Sequence, residues 1–311
     1  MLRRALLTLL TLALPSFAYY HFVRYASSQA PFTPIYDKFD LRALPGKQVQ
    51  YFIALNAPLT LAEGDSEAAV LSQIRAAAAV WNSVPTSELR LVFGGFRDSG
   101  AEMGSPSIQV EFTDELPPGI IAQGGPVSRL DPAEGPDGVF TPIARSVLRL
   151  PSNLSSRPSW TERFFLTAVH EFGHTLGLQH TWTSSVMSTE ITRSVTKARP
   201  LTQDDVAALS VLYPAADFRK KTGSIQGRIA MNGEGVPLAS VVAFSPGRDA
   251  VSTLTAPDGS YRIEGLLPGP YFIYVHPLPP AIAGEPQPVN LELPSGANGR
   301  ILPGAAFNLA F

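Results

Sequence analysis

The chain has 311 residues, 45% of them hydrophobic and 16% charged, with a formal net charge of −2. That length can bury two cores, the balance excludes a disordered polar chain, and the near-neutral charge, with no basic run beyond Arg219-Lys220-Lys221, argues against a nucleic-acid binder. Cysteine is absent, which rules out disulfide staples, a thiolate metal site and a thiol nucleophile.

Residues 1–18 read as an export signal, so a secreted or extracytoplasmic protein is expected. Arg3 and Arg4 precede an apolar run, Ala5 to Leu14, that is too short to span a bilayer comfortably. Ser16 and Ala18 then stand at the −3 and −1 positions of a cut before Tyr19. An uncleaved N-terminal anchor is the alternative. Residues 19–46 form a proline-punctuated extension with no sustained period.

From residue 47 a mixed α/β pattern begins. Val49 to Leu55 predicts a strand. Ser66 to Val84 predicts a helix, Ala-rich and with Val70, Ile74 and Trp81 near helical spacing. Leu89 to Phe93, Ser107 to Phe112 and Ser146 to Leu150 predict three more strands. Between the last two lies a loop-rich stretch with the apolar Gly119 to Ala122 and an acidic turn, Asp131 to Gly138. Ser159 and Glu162 form a capping-box pattern for a helix towards Leu176, and Thr202 and Asp205 repeat it for a last helix ending near Tyr213. Residues 215–222 read as a linker. Residues 223–311 hold short β-rich runs between Gly, Pro and Asp-Gly turns, which predicts a small all-β sandwich.

The chemistry concentrates in His170-Glu171-Phe172-Gly173-His174-Thr175-Leu176-Gly177-Leu178-Gln179-His180. Residues four apart share one helix face, so His170 and His174 can offer two imidazole nitrogens to one ion. His180 would lie roughly 15 Å along the axis from His170 if the helix continued, so the chain must turn back. Gly177 is placed to permit that turn in a left-handed conformation. Three neutral imidazoles leave a fourth tetrahedral position open on one catalytic Zn2+, and Glu171 beside it can serve as general base and then acid. By chance this eleven-residue pattern arises in about one chain of this length per hundred thousand.

H-E-x-x-H-x-x-G-x-x-H is the signature of the metzincin metallopeptidases, and this chain resembles them there. Met187, seven residues after His180, fits the Met-turn that the resemblance implies below the metal. Leu201 to Tyr213 and the helix-borne Trp81 are similar to the matrixin branch over residues 47–214. The resemblance implies an α+β fold: a five-stranded twisted mixed sheet, an active-site helix, and an extended protein or peptide substrate lying antiparallel on an edge strand, for which Ile120 to Gly124 is the candidate. Asp204 and Asp205 are expected to serve the last helix electrostatically.

The chain lacks the cysteine that plugs matrixin zymogens, and Ser188, Thr189 and Glu190 stand where astacins and serralysins carry a tyrosine. Asp131, Glu134 and Asp137 offer oxygens that calcium could use, but their spacing matches no defined calcium loop. Residues 223–311 resemble carboxypeptidase-regulatory-like, prealbumin-type β-domains in Gly227, the Asp258-Gly259-Ser260-Tyr261 turn and Gly265 to Tyr271. Such a module would either bind a cell-surface or matrix ligand or serve only to stabilise or space the enzyme. The expected activity is zinc metalloendopeptidase. Its rivals are a surface binding or adhesion protein with a metal-loaded, idle domain, and a hydrolase whose third ligand is a downstream Glu.

Overall fold

In the computed structural model, which describes residues 21–25, 34–54, 58–98, 105–188 and 195–277, the first large element is a mixed eight-stranded sheet. The proposed export signal, Thr189, Glu190 and the tail from 278 lie outside the described residues. The sheet uses β1 (Val23–Tyr25), β2 (Pro34–Lys38), β3 (Val49–Ala54), β4 (Leu91–Phe96), β5 (Ser107–Thr113), β6 (Gln123–Ser128), β7 (Ala133–Gly135) and β8 (Gly138–Pro151). Its order is β1-β2-β8-β5-β3-β4, with β6 and β7 antiparallel on β8. The run β4-β3-β5-β8-β6 is the expected five-stranded mixed sheet, parallel except for β6. Strand β3, between β5 and β4, is buried at five of its six positions, as a parallel strand covered on both faces must be.

Two expectations about the sheet shift. The 19–46 extension is not featureless: β2 pairs with the first half of β8, at Tyr36–Phe140, and extends the sheet. Its signal was hidden because Pro34 and Asp37 break the alternation that marks a strand. The edge strand is Gln123–Ser128 rather than Ile120 to Gly124. It pairs with β8 from Gln123–Arg149 to Ser128–Ile143, and its two glycines and one proline give it no apolar period.

Helix α1 (Glu67–Asn82) starts where Ser66 Oγ accepts the Ala69 N–H, and it buries Val70, Ile74, Ala77, Ala78 and Trp81. Helix α2 (Glu162–Thr175) is buried continuously from Phe164 to Thr175, so it runs through the core. Its cap is Thr161, whose Oγ1 accepts the Phe164 N–H at 3.2 Å. Ser159 instead donates to Asp65, at 2.6 Å from Oγ and 2.7 Å from its backbone N–H, and ties the helix entry to the loop before α1. Trp81 Nε1 donates to Val169 O at 2.9 Å and joins α1 to α2. Helix α3 (Gln203–Leu212) opens with the capping box that Thr202 and Asp205 foretell.

The stretch expected as a linker holds a short helix, α4 (Phe218–Lys221), with Phe218 buried. Beyond it come β9 (Gly223–Arg228), the hairpin β10 (Ala230–Met231) with β11 (Glu234–Gly235), β12 (Ser240–Phe244), β13 (Val251–Leu254), β14 (Ser260–Leu266) and β15 (Phe272–His276). They form a three-stranded sheet, β13-β12-β15, and a two-stranded one, β14-β9. Val241, Ala243, Val251, Tyr261, Ile263 and Leu266 share a core there with Ala207 of α3.

Candidate metal centre

Helix α2 ends in a turn that the sequence specifies closely. The Leu178 N–H bonds Gly173 O and the Gly177 N–H bonds His174 O, both at 3.1 Å, the paired pattern of a Schellman end. Gly177 takes φ +99°, and a Cβ there would lie 2.3 Å from Asp37 O, so both conformation and space require glycine. The Phe22 N–H donates to Gly177 O at 3.0 Å, and Tyr213 Oη donates to Leu176 O at 2.8 Å. The chain thus reverses directly after the helix and returns His180 to the face that carries His170 and His174.

The three imidazoles converge through Nε2. The distances are 3.0 Å from His174 to His170, 3.1 Å from His174 to His180 and 3.2 Å from His170 to His180. Nitrogens held about 2.0–2.1 Å from one ion at tetrahedral angles lie about 3.3–3.4 Å apart, so the set is close to a zinc geometry. The tautomers agree. His170 Nδ1 lies 2.6 Å from Val186 O and His174 Nδ1 lies 2.8 Å from Leu178 O. A carbonyl can only accept, so each Nδ1 carries the proton and each Nε2 turns a lone pair inward. Lone pairs crowded at this distance repel unless a cation lies between them, so this donor set fits a zinc ion. Among the described residues no other group of three or more His, Cys, Asp or Glu side chains converges in this way. Asp131, Glu134 and Asp137 do not: Asp137 pairs with Arg219 at 2.8 Å. Among the described residues no downstream Glu joins the group, and His180 stands third in it.

Glu171 is 5% exposed and lies against β6. A Cβ on Gly124 would come within 2.4 Å of Glu171 O and 3.1 Å of Glu171 Oε2. The glycine lets the edge strand pass directly beside this carboxylate. Met187, 2% exposed, lies beneath the helix, where a Cβ on Gly173 would fall 2.3 Å from its sulfur and 2.9 Å from the Trp81 ring. Gly173 is therefore the gap that admits the methionine. Nothing in the sequence pattern separates such a packing glycine from an ordinary helical position, and Gly124 likewise carries no local signal.

The aspartates of α3 do more than complement a helix end. Asp205 accepts from Ser185 Oγ (2.5 Å), the Val186 N–H (3.2 Å) and the Met187 N–H (3.3 Å) while completing its capping box with the Thr202 N–H (2.8 Å). It clamps the turn whose Val186 carbonyl orients His170. Asp204 accepts from Thr181 and Thr183, just past His180. Burial pushes Asp205's carboxyl above the usual range, against the pull of its donors. The expectation of a purely electrostatic role falls short because both carboxylates are buried and accept from the 181–187 segment as well.

The Matrixin family model matches residues 48–214. No curated protein matches the chain. Among solved structures, high choriolytic enzyme 1, a hatching-enzyme zinc-protease from the medaka fish Oryzias latipes, is 15% identical, with 58% of this chain and 94% of that one covered and a TM-score of 0.29. At that TM-score the likeness adds nothing to the family match.

Proposed function

The chain belongs to the matrixin family, and on that premise we propose that it is an exported zinc metalloendopeptidase. In this reading His170, His174 and His180 hold one zinc ion and Glu171 is its general acid and base. The observation that carries the proposal is the convergence of three Nε2 lone pairs, with two tautomers fixed by backbone carbonyls. A zinc ion held there supplies Lewis acidity, enough in such sites to bring the pKa of water down to about 7.

The protein's own groups supply the rest. Glu171, one residue after His170 on α2, takes the proton of the attacking water and returns it to the leaving amine, so peptide hydrolysis needs no covalent intermediate. The substrate's place is the edge of β6. Among the described residues β6 pairs only with β8, so its outer edge can accept an extended peptide as a further antiparallel strand, with Glu171 beside Gly124. A buried carboxylate one residue after His170 also argues against an idle adhesion domain, since a metal-holding scaffold has no use for it. Export is inferred from Arg3, Arg4 and the apolar run before Ala18. Residues 223–311 are read as a β-sandwich of prealbumin type, supported within 223–277 by two small sheets around one core, and a surface or matrix ligand is the partner proposed for it.

The test is cleavage of an unstructured protein such as casein by the chain and by Glu171→Ala. The expected result is chelator-sensitive cleavage that falls by about 10²–10⁴-fold in the variant. A folded, zinc-loaded protein that cuts nothing would favour the adhesion reading, and undiminished cleavage by the variant would remove Glu171 from the chemistry.

A further inference from the structure

His180 is the one proposed ligand that α2 does not carry, so something else must hold its loop. Asp204, 4% exposed in the first turn of α3, does so from below. Its Oδ2 accepts from Thr181 Oγ1 at 2.8 Å and Thr183 Oγ1 at 2.5 Å, the hydroxyls one and three residues past His180. Its Oδ1 accepts the backbone N–H of Ser252, at 2.8 Å, from β13 of the C-terminal β unit. Ser252 Oγ also lies 3.2 Å from Thr181 Oγ1 and can donate to it. One buried carboxylate thus joins the ligand loop on one side to the β unit on the other.

The β unit is seated for this. Gly265 takes φ +70°, and a Cβ there would meet Ala207 of α3 at 2.7 Å, so the sheet lies directly on the helix. Gln203 Nε2 donates to Gly265 O, and Asp249 accepts from Arg199 and from the Gln203 N–H. The two adjacent aspartates divide the support of the metal site. Asp205 holds the turn behind His170, and Asp204 holds the segment behind His180. Burial pushes the Asp204 carboxyl up to about 6 against its three donors, so each donor it keeps favours the ionised form that accepts from all of them.

We propose that the C-terminal β unit is part of the metal site: the Ser252 amide fixes Asp204, Asp204 fixes Thr181 and Thr183, and His180 is held in its ligating position as a result. Asp204 is a positioning residue, and residues 223–277 act on the zinc centre rather than serving only as an appendage. The inference rests on the reading that His180 ligates zinc.

The full chain tests it through zinc affinity, measured by competition with a chromophoric chelator on folded, metal-free protein, with thermal unfolding followed in parallel. Asp204→Ala removes the link, and Ser252→Pro removes both groups that the β unit contributes to it, the amide that Asp204 accepts and the Oγ beside Thr181. That amide points away from β12 on an edge strand, where proline is tolerated. Asp249→Ala cuts bonds at the same junction without touching the His180 loop. Orienting groups of this kind are worth about 10–100-fold in metal affinity. Asp204→Ala and Ser252→Pro should each lose about that much, and Asp249→Ala should lose none even where it lowers the unfolding temperature. Thr183→Val, a milder change, should lose several-fold and stands in if Ser252→Pro does not fold. His180→Ala separates the layers. Unchanged zinc affinity in that variant would remove the ligand reading itself. A large loss there, with Asp204→Ala, Ser252→Pro and Thr183→Val all binding zinc like the wild type, would overturn the positioning role alone.

Discussion

At the scale of single residues, the site depends on glycines as much as on histidines. Gly124 has no side chain because Glu171 occupies that space. Gly124→Ala should therefore push β6 or the carboxylate aside and reduce cleavage by about 10²-fold, the usual cost of about 1 Å of misplacement. Zinc affinity should stay as it was, since no imidazole is touched. Equal kcat/KM in the two proteins would show that the edge strand is not where substrate meets Glu171. His21 offers a second residue-scale test. It is buried on Ala208 O through Nε2 at 2.9 Å and edge-on to Tyr36, and burial, with a smaller push from Lys38, lowers its pKa to about 4. Between pH 4 and 6.5 the unfolded chain binds the proton and the folded chain does not, so stability falls as the pH drops through that window. A shift of this size amounts to about 3 kcal/mol. The stability of metal-free wild type, relative to His21→Gln, should decline by about that amount from pH 6.5 to 4. Parallel profiles would mean that His21 takes up its proton without unfolding.

At the scale of elements, the helices were legible because their signals are local. Val70, Ile74 and Trp81 mark the buried face of α1, and Thr202 with Asp205 marks the start of α3. The cap of α2 lies two residues past the Ser159 that the sequence pattern favours, because Ser159 and Thr161 are both good caps and only the distant Asp65 decides which one is free. Strands β2 and β6 were blurred because pairing to β8, not alternation, makes them strands. The aspartates of α3 announce in the sequence only their place on the helix, whereas most of their partners come from 181–187 and from β13. Asp205→Ala should accordingly cost roughly 3–5 kcal/mol, since it strands buried donors at Ser185, Val186 and Met187, whereas Thr202→Ala should cost about 1 kcal/mol as a plain cap deletion. Denaturant unfolding of the metal-free variants compares the two, and similar losses would reduce Asp205 to a capping residue.

At the scale of the whole molecule, the convergence of the three imidazoles was legible almost entirely in eleven residues, because helix period and one glycine dictate where they go. The junction with the β unit was not. Long-range contacts such as Ala207 on Gly265 leave no trace in local pattern, and the expected linker turns out to bury Phe218. The matrixin-like portion and the C-terminal strands meet on α3, where Ala207 packs with the β unit's core. The most direct test of the central reading is a zinc titration of the metal-free protein, with casein cleavage followed at each addition. Activity should rise linearly and level off at one zinc per chain, and His180→Ala should stay inactive at that stoichiometry. Cleavage that is already complete without metal, or that continues unchanged in His180→Ala, would contradict it.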